Sequence, residues 1–163
     1  MVKTMGADLY IKSIYESNKK MYYQLFMDAV KARDSCDNTP EGNKKAEEFQ
    51  KDVIKYYELL DTDGYFRDSY NSTSIFWQCG LSWWDNPYIN KHGNISVKAA
   101  KRLLERMRKK HFDNVTDLDL DKLKDIPDEE LPEWVDYFEK KRKDFIKFLR
   151  TAIKKREHIY CSV

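Results

Sequence analysis

The sequence predicts a mainly α-helical fold, a helical bundle of about four to five helices with a small two-stranded β element formed by the N- and C-terminal segments. Three observations predict it. Apolar residues recur at a 3.6-residue period over long stretches, helix breakers and caps separate those stretches, and the two ends of the chain alternate or run β-branched instead. The 163 residues include 41% apolar side chains, enough for one core in a single domain spanning 1–163.

Ala7 to Tyr15 is rich in β-branched and aromatic residues and reads as a strand. From Ser17, a candidate cap, Tyr22, Leu25, Phe26, Ala29 and Val30 fall on one side of a first helix. Cys36 to Gly42 contains Pro40 and Gly42, which stop that helix and turn the chain. A second helix from about Asn43 places Ala46, Phe49, Val53, Tyr56, Tyr57 and Leu60 on its apolar face and ends at Asp61-Thr-Asp-Gly64. Two antiparallel helices joined by a short loop are implied.

Ser96 then caps a helix carrying Val97, Ala100, Leu103, Leu104 and Met107. Its last turn holds Arg106, Arg108, Lys109 and Lys110. Cations there complement the helix dipole, and an anion site is the alternative. Asn114 to Asp128 is an acidic, irregular connection that Leu118, Leu120 and Leu123 anchor to the core. Pro132 opens the longest helix, whose stripe of Trp134, Phe138, Phe145, Leu149, Ala152 and Ile153 makes it the spine of the fold. The closing His158-Ile-Tyr-Cys-Ser-Val alternates like a strand and can pair near Leu9.

Composition narrows the function classes. Thirty Lys and Arg against 28 Asp and Glu leave a net charge of +2, too little for a broad positive field, so there is no strong nucleic-acid signal. No apolar run is long enough to span a bilayer, and the first residues lack the apolar centre of a secretory signal. A cytoplasmic chain with no membrane partner is expected. The sequons at Asn71, Asn94 and Asn114 are then without consequence. Cys36, Cys79 and Cys161, odd in number and far apart, suit free thiols.

Common catalytic fingerprints are missing. There is no glycine-rich phosphate loop, no Gly-x-Ser-x-Gly elbow and no His-Glu-x-x-His. His92, His111 and His158 form no close-spaced pair with a cysteine, so no metal and no cofactor is expected. Asp61-Thr-Asp-Gly fails as a calcium loop because the register puts Leu59 and Tyr70 where oxygen ligands belong, and Asp117, Asp119 and Asp121 have Lys122 in place of the turn glycine.

The candidate site lies in Gly64 to Asp85, which holds three of the four tryptophans. If Phe66 to Trp77 is helical, Phe66, Tyr70, Ser74 and Trp77 share one face while Arg67 and Asn71 project from the next. Arg67 brings a planar fork for a carboxylate or phosphate, Asp68 can orient it, and Trp83 or Trp84 can stack on a flat ring. The candidate ligand-binding set is Arg67, Asp68, Tyr70, Asn71, Trp77, Trp83 and Trp84, with a nucleotide-like or other anionic small ligand. The competing reading is core packing: Arg67 and Asp68 as a structural pair or cap, and the tryptophans as plugs between helices.

The segments Met5-Gly-Ala-Asp-Leu-Tyr, Gly64-Tyr-Phe-Arg-Asp-Ser-Tyr-Asn, Leu81-Ser-Trp-Trp and Ile159-Tyr-Cys-Ser resemble those of an uncharacterised family of small bacterial and phage-borne proteins. The resemblance implies no activity and no site residues. It does imply that Met1 to Thr4 extend an older start at Met5. Three functions follow: a non-enzymatic binding domain, a protein-interaction or inhibitor module in conflict between host and phage, and a small hydrolase or transferase using Asp68, Asp85 or His111.

Overall fold

The computed structural model describes residues 6–162, so the extension expected at Met1 to Thr4 lies outside the described residues. The elements run β1 (Gly6–Tyr10), α1 (Lys12–Asp34), α2 (Pro40–Asp61), β2 (Tyr65–Ser69), α3 (Ile75–Gln78), β3 (Asn94–Ile95), α4 (Val97–Lys109), α5 (Leu131–Lys155) and β4 (Ile159–Ser162). Among the described residues five α-helices, three short 3-10 helices and a small antiparallel sheet form a mainly α-helical fold. Contacts divide the chain into two compact units, Lys12–Gly64 and residues 6–11 with 65–162.

The first unit is a helical hairpin. Thr39 caps α2 by accepting from the Gly42 backbone N–H at 3.0 Å, and Pro40 supplies the preset φ of a first turn. A Cβ at Gly42 would run into the side chain and carbonyl of Asp37, so this first turn closes only with glycine. With Thr39 as cap, α2 starts at Pro40, ahead of the expected Asn43. Asn18 donates its amide to the Thr62 carbonyl at 2.8 Å and Arg33 donates to Gln50 at 2.9 Å, which ties the two helices antiparallel. Ser17 lies inside α1 rather than at its start. The expected strand ends at Tyr10, because no strand pairing continues past it, and Lys12 already faces Glu16 one helical turn on. Of this unit's apolar side chains only Ala29 and Val53 are fully buried.

In the second unit the strand order is β2-β1-β4-β3. The chain ends pair as expected, with Asp8 opposite Ser162, Leu9 opposite Cys161 and Tyr10 opposite Tyr160. The sheet has four strands rather than two, since β2 adds to the other edge of β1 and β3 to that of β4. Alternation turns Ala7, Leu9, Phe66 and Asp68 inward and leaves Asp8, Tyr10, Tyr65 and Arg67 on the outer face. α5 closes the inner side: the Phe66 ring lies 4.6 Å from Phe145, and Phe138, Phe145, Leu149 and Ala152 are wholly buried. Ser96 caps α4 as expected, accepting from Ala99 at 3.1 Å, and Ala100, Leu103, Leu104 and Met107 face the core. Leu118 and Leu123 anchor the connection to α5, whereas Leu120 is exposed. α5 ends on Arg156 in the left-handed conformation at φ +58°, its N–H directed at the Ala152 and Ile153 carbonyls. Among the described residues no helix is long and apolar enough to cross a membrane.

Candidate functional site

Where Phe66 to Trp77 is considered as a helix, the structure places a strand, a turn and one short helix. Tyr65 to Ser69 pairs with β1, and that non-local pairing outweighs the helical spacing of Phe66, Tyr70 and Ser74. Asn71 turns the chain by accepting from the Thr73 N–H at 3.0 Å and hydroxyl at 2.7 Å. Ser74 then caps the four-residue α3 by accepting from Trp77 at 3.2 Å.

On a strand, neighbours point to opposite faces, so Arg67 and Asp68 are not a pair. Asp68 is 1% exposed and collects five donors. Its Oδ2 accepts from the Ser74 hydroxyl at 2.7 Å, the Trp83 indole at 2.9 Å and the Phe76 N–H at 3.3 Å. Its Oδ1 accepts from the Ile75 N–H at 3.0 Å and from Lys141 Nζ at 3.0 Å. A buried carboxylate is tolerated only with such a shell. The Trp83 indole also stacks on Phe76, centroids 3.7 Å apart and planes within 6°, and Phe76 meets Phe145 edge-on at 5.3 Å. Asp68 thus joins β2, α3, the Trp83 loop and α5 in one knot.

Arg67 stands on the outer face, its Nε 3.7 Å from Asp8. Asp8 also accepts from the Tyr65 hydroxyl at 2.6 Å; burial, then this bond, pushes the Tyr65 hydroxyl's pKa well up. The Tyr70 ring lies tilted against Trp84 with centroids 4.8 Å apart, and Trp84 is 64% exposed. Trp77 is half-buried, and its carbonyl accepts from Lys122. The seven predicted residues therefore do not converge on one cavity: Asp68 and Trp83 lie within the inner core, Arg67 on the opposite face, and Asn71 serves the turn. Asp68 has no accessible lone pair for acid–base work. Asp85 is exposed.

A different concavity lies between α4 and α5. It has a volume of about 500 Å³ and is lined by Arg108, His111, Arg142, Lys143, Ile146, Lys147, Arg150, Thr151 and Lys154. Six of these nine are Lys or Arg, a seventh is histidine, and none is a carboxylate. Arg142 is the buried brace of the groove. It holds Glu139 through two nitrogens at 2.6 and 2.8 Å and donates to the Met107 carbonyl at 3.0 Å, fixing the end of α4 against α5. The Arg142 hydrogen bonds hold the Glu139 carboxyl below its usual range despite some burial. Glu139 also lies 3.6 Å from Lys143, and Glu105 meets Arg108 at 3.0 Å. Both carboxylates stand outside the lining.

The basic turn at the end of α4 divides by role. Arg106 donates to the Cys79 carbonyl at 2.9 Å and Lys110 to the Asp117 carbonyl at 2.8 Å, while Arg108 faces the groove. The groove has one legible signal in sequence, Lys143, Lys147, Arg150 and Lys154 at intervals of four, three and four, opposite the apolar stripe of α5. A row of that kind looks like any solvated helix face until α4 supplies its second wall.

All three cysteines are free. Burial pushes the Cys79 thiol up to about 11 and the Cys161 thiol up to about 12, away from a nucleophile's range. Among the described residues no group of three or more His, Cys, Asp or Glu is placed to hold a metal ion. No protein-family model matches the chain, and neither a curated protein nor a solved structure is significantly similar to it.

Proposed function

We propose that the chain is a non-enzymatic binding domain for a phosphate-bearing anion, held in the α4–α5 groove rather than by the Arg67 and Asp68 segment. One observation carries the reading: six Lys and Arg side chains line a single cavity of about 500 Å³ with no carboxylate among them. Gathering like charges costs Coulomb energy that a folded protein recovers when an anion enters, and the groove walls strengthen the attraction by displacing water. The volume falls within the roughly 300–1,000 Å³ of ligand sites. Arg150 can offer a bidentate fork, while the lysines act as point charges on flexible stems.

Calorimetric titration with pyrophosphate, triphosphate and ATP tests this. Binding is expected for the wild type, weaker by about tenfold or more in the Lys147→Glu/Arg150→Glu variant, which removes two cations and adds two repelling charges. A folded wild type that binds none of the three anions contradicts it.

A second reading, a protein-interaction module, is favoured by the helical hairpin, where Met21, Tyr23, Leu25, Ile54 and Tyr57 are large, apolar and exposed. A role between host and phage rests on the family resemblance alone.

A further inference from the structure

The layout of the groove bears on which phosphate-bearing ligand it takes, a step that rests on the anion-site reading above. Lys143, Lys147, Arg150 and Lys154 stand within a narrow arc of α5 and all face the same cavity. At 1.5 Å per residue the row rises about 16 Å from first to last. A single phosphate group meets cations one turn apart but cannot reach both ends of such a row. A duplex strand presents a phosphate about every 3.4 Å along its axis, so it offers a charge to every cation in turn. Arg108, from the other wall, adds a contact beside the row.

The lining chemistry points the same way. No Phe, Tyr or Trp faces the groove, His111 supplies its one ring, and Ile146 is its one apolar member besides the Thr151 methyl. The groove therefore lacks the broad Phe, Tyr or Trp platform on which single-base pockets rely. No Asn, Gln or carboxylate is present to pair with an adenine or cytosine edge. What remains is a row of positive charge suited to backbone oxygens.

Charge is also segregated along this part of the chain. Residues 140–156 hold nine Lys and Arg against Asp144 alone, whereas residues 113–136 are acidic apart from Lys122 and Lys124. The net charge of +2 averages over the two and conceals the basic face.

We infer that the α4–α5 groove is a track for the phosphodiester backbone of a nucleic acid, bound without regard to base sequence. Fluorescence anisotropy on the full chain tests it, using end-labelled mixed-sequence DNA of about two helical turns, single-stranded and duplex, with labelled ATP as the compact anion. One or both DNA forms bind at least about tenfold more tightly than ATP; which one binds better identifies the strand form. For four phosphate contacts the plot of log affinity against log salt falls with a slope of about −3 for a single strand and somewhat steeper for a duplex. A second oligonucleotide of unrelated sequence binds within about twofold, as backbone recognition requires. Lys147→Glu/Arg150→Glu loses at least about tenfold while its circular dichroism and Tm stay those of the wild type.

Three results overturn the inference. ATP binding as tightly as DNA, and lost in the double variant, removes the track but keeps the anion site. DNA affinity that survives the double variant moves the nucleic acid elsewhere. If neither DNA nor ATP binds the folded chain, the anion-site reading fails together with the track.

Discussion

Asp68 and the α4–α5 groove handle charge in opposite ways. Asp68 is one buried charge surrounded by five donors, with Lys141 as its counter-ion. The groove gathers six cations around one cavity and keeps the nearest paired carboxylates, Glu105 and Glu139, outside it. A charge whose lone pairs are all used holds the fold and has nothing left to give a ligand. In the groove Arg142 braces the fold, while the exposed cations beside it leave the concavity poised for an anion. The difference shows that a rich local chemistry such as Gly64 to Asp85 is no guide to a site until it is known which groups already satisfy each other.

The largest effect should come from breaking the Asp68 knot. Asp68→Asn keeps the shape but sets an amide N–H against a donor and strands Lys141, so it should cost about 3–5 kcal/mol, as breaking one partner of a buried pair does. Urea unfolding followed by tryptophan fluorescence measures it; a loss below about 1 kcal/mol would show that the carboxylate is dispensable. The groove variant Lys147→Glu/Arg150→Glu should do the reverse. Both side chains are exposed, so stability should stay within about 0.5 kcal/mol of wild type. An effect smaller than that at Asp68, and of opposite sign, is expected at the end of α5. Arg156 occupies the left-handed region that glycine enters without strain, and Arg156→Gly should raise stability by about 0.5–1 kcal/mol in the same unfolding assay.

Much of the fold is legible in the chain because its signals are local. Ser96 caps α4, Pro132 opens α5, and the alternation of Ile159 to Ser162 finds its partner at Leu9. β2 is not legible, because Phe66, Tyr70 and Ser74 fit a helical period as well as Tyr65 to Ser69 fits a strand. Only pairing with β1, nearly sixty residues away, decides between them. That one choice separates Arg67 from Asp68 and disperses the predicted site. The groove was hidden for a related reason: the α5 row is ordinary on a helix surface, and Arg108 and His111 join it only once α4 packs against α5. Net charge, being a sum over the chain, could not reveal a cluster.

The most direct test of this account measures stability and anion binding together for the two kinds of variant. With pyrophosphate as the ligand, Lys147→Glu/Arg150→Glu should keep the wild-type Tm and lose at least about tenfold in affinity. Unchanged pyrophosphate affinity in that folded variant would contradict the claim that the α4–α5 groove is the binding site.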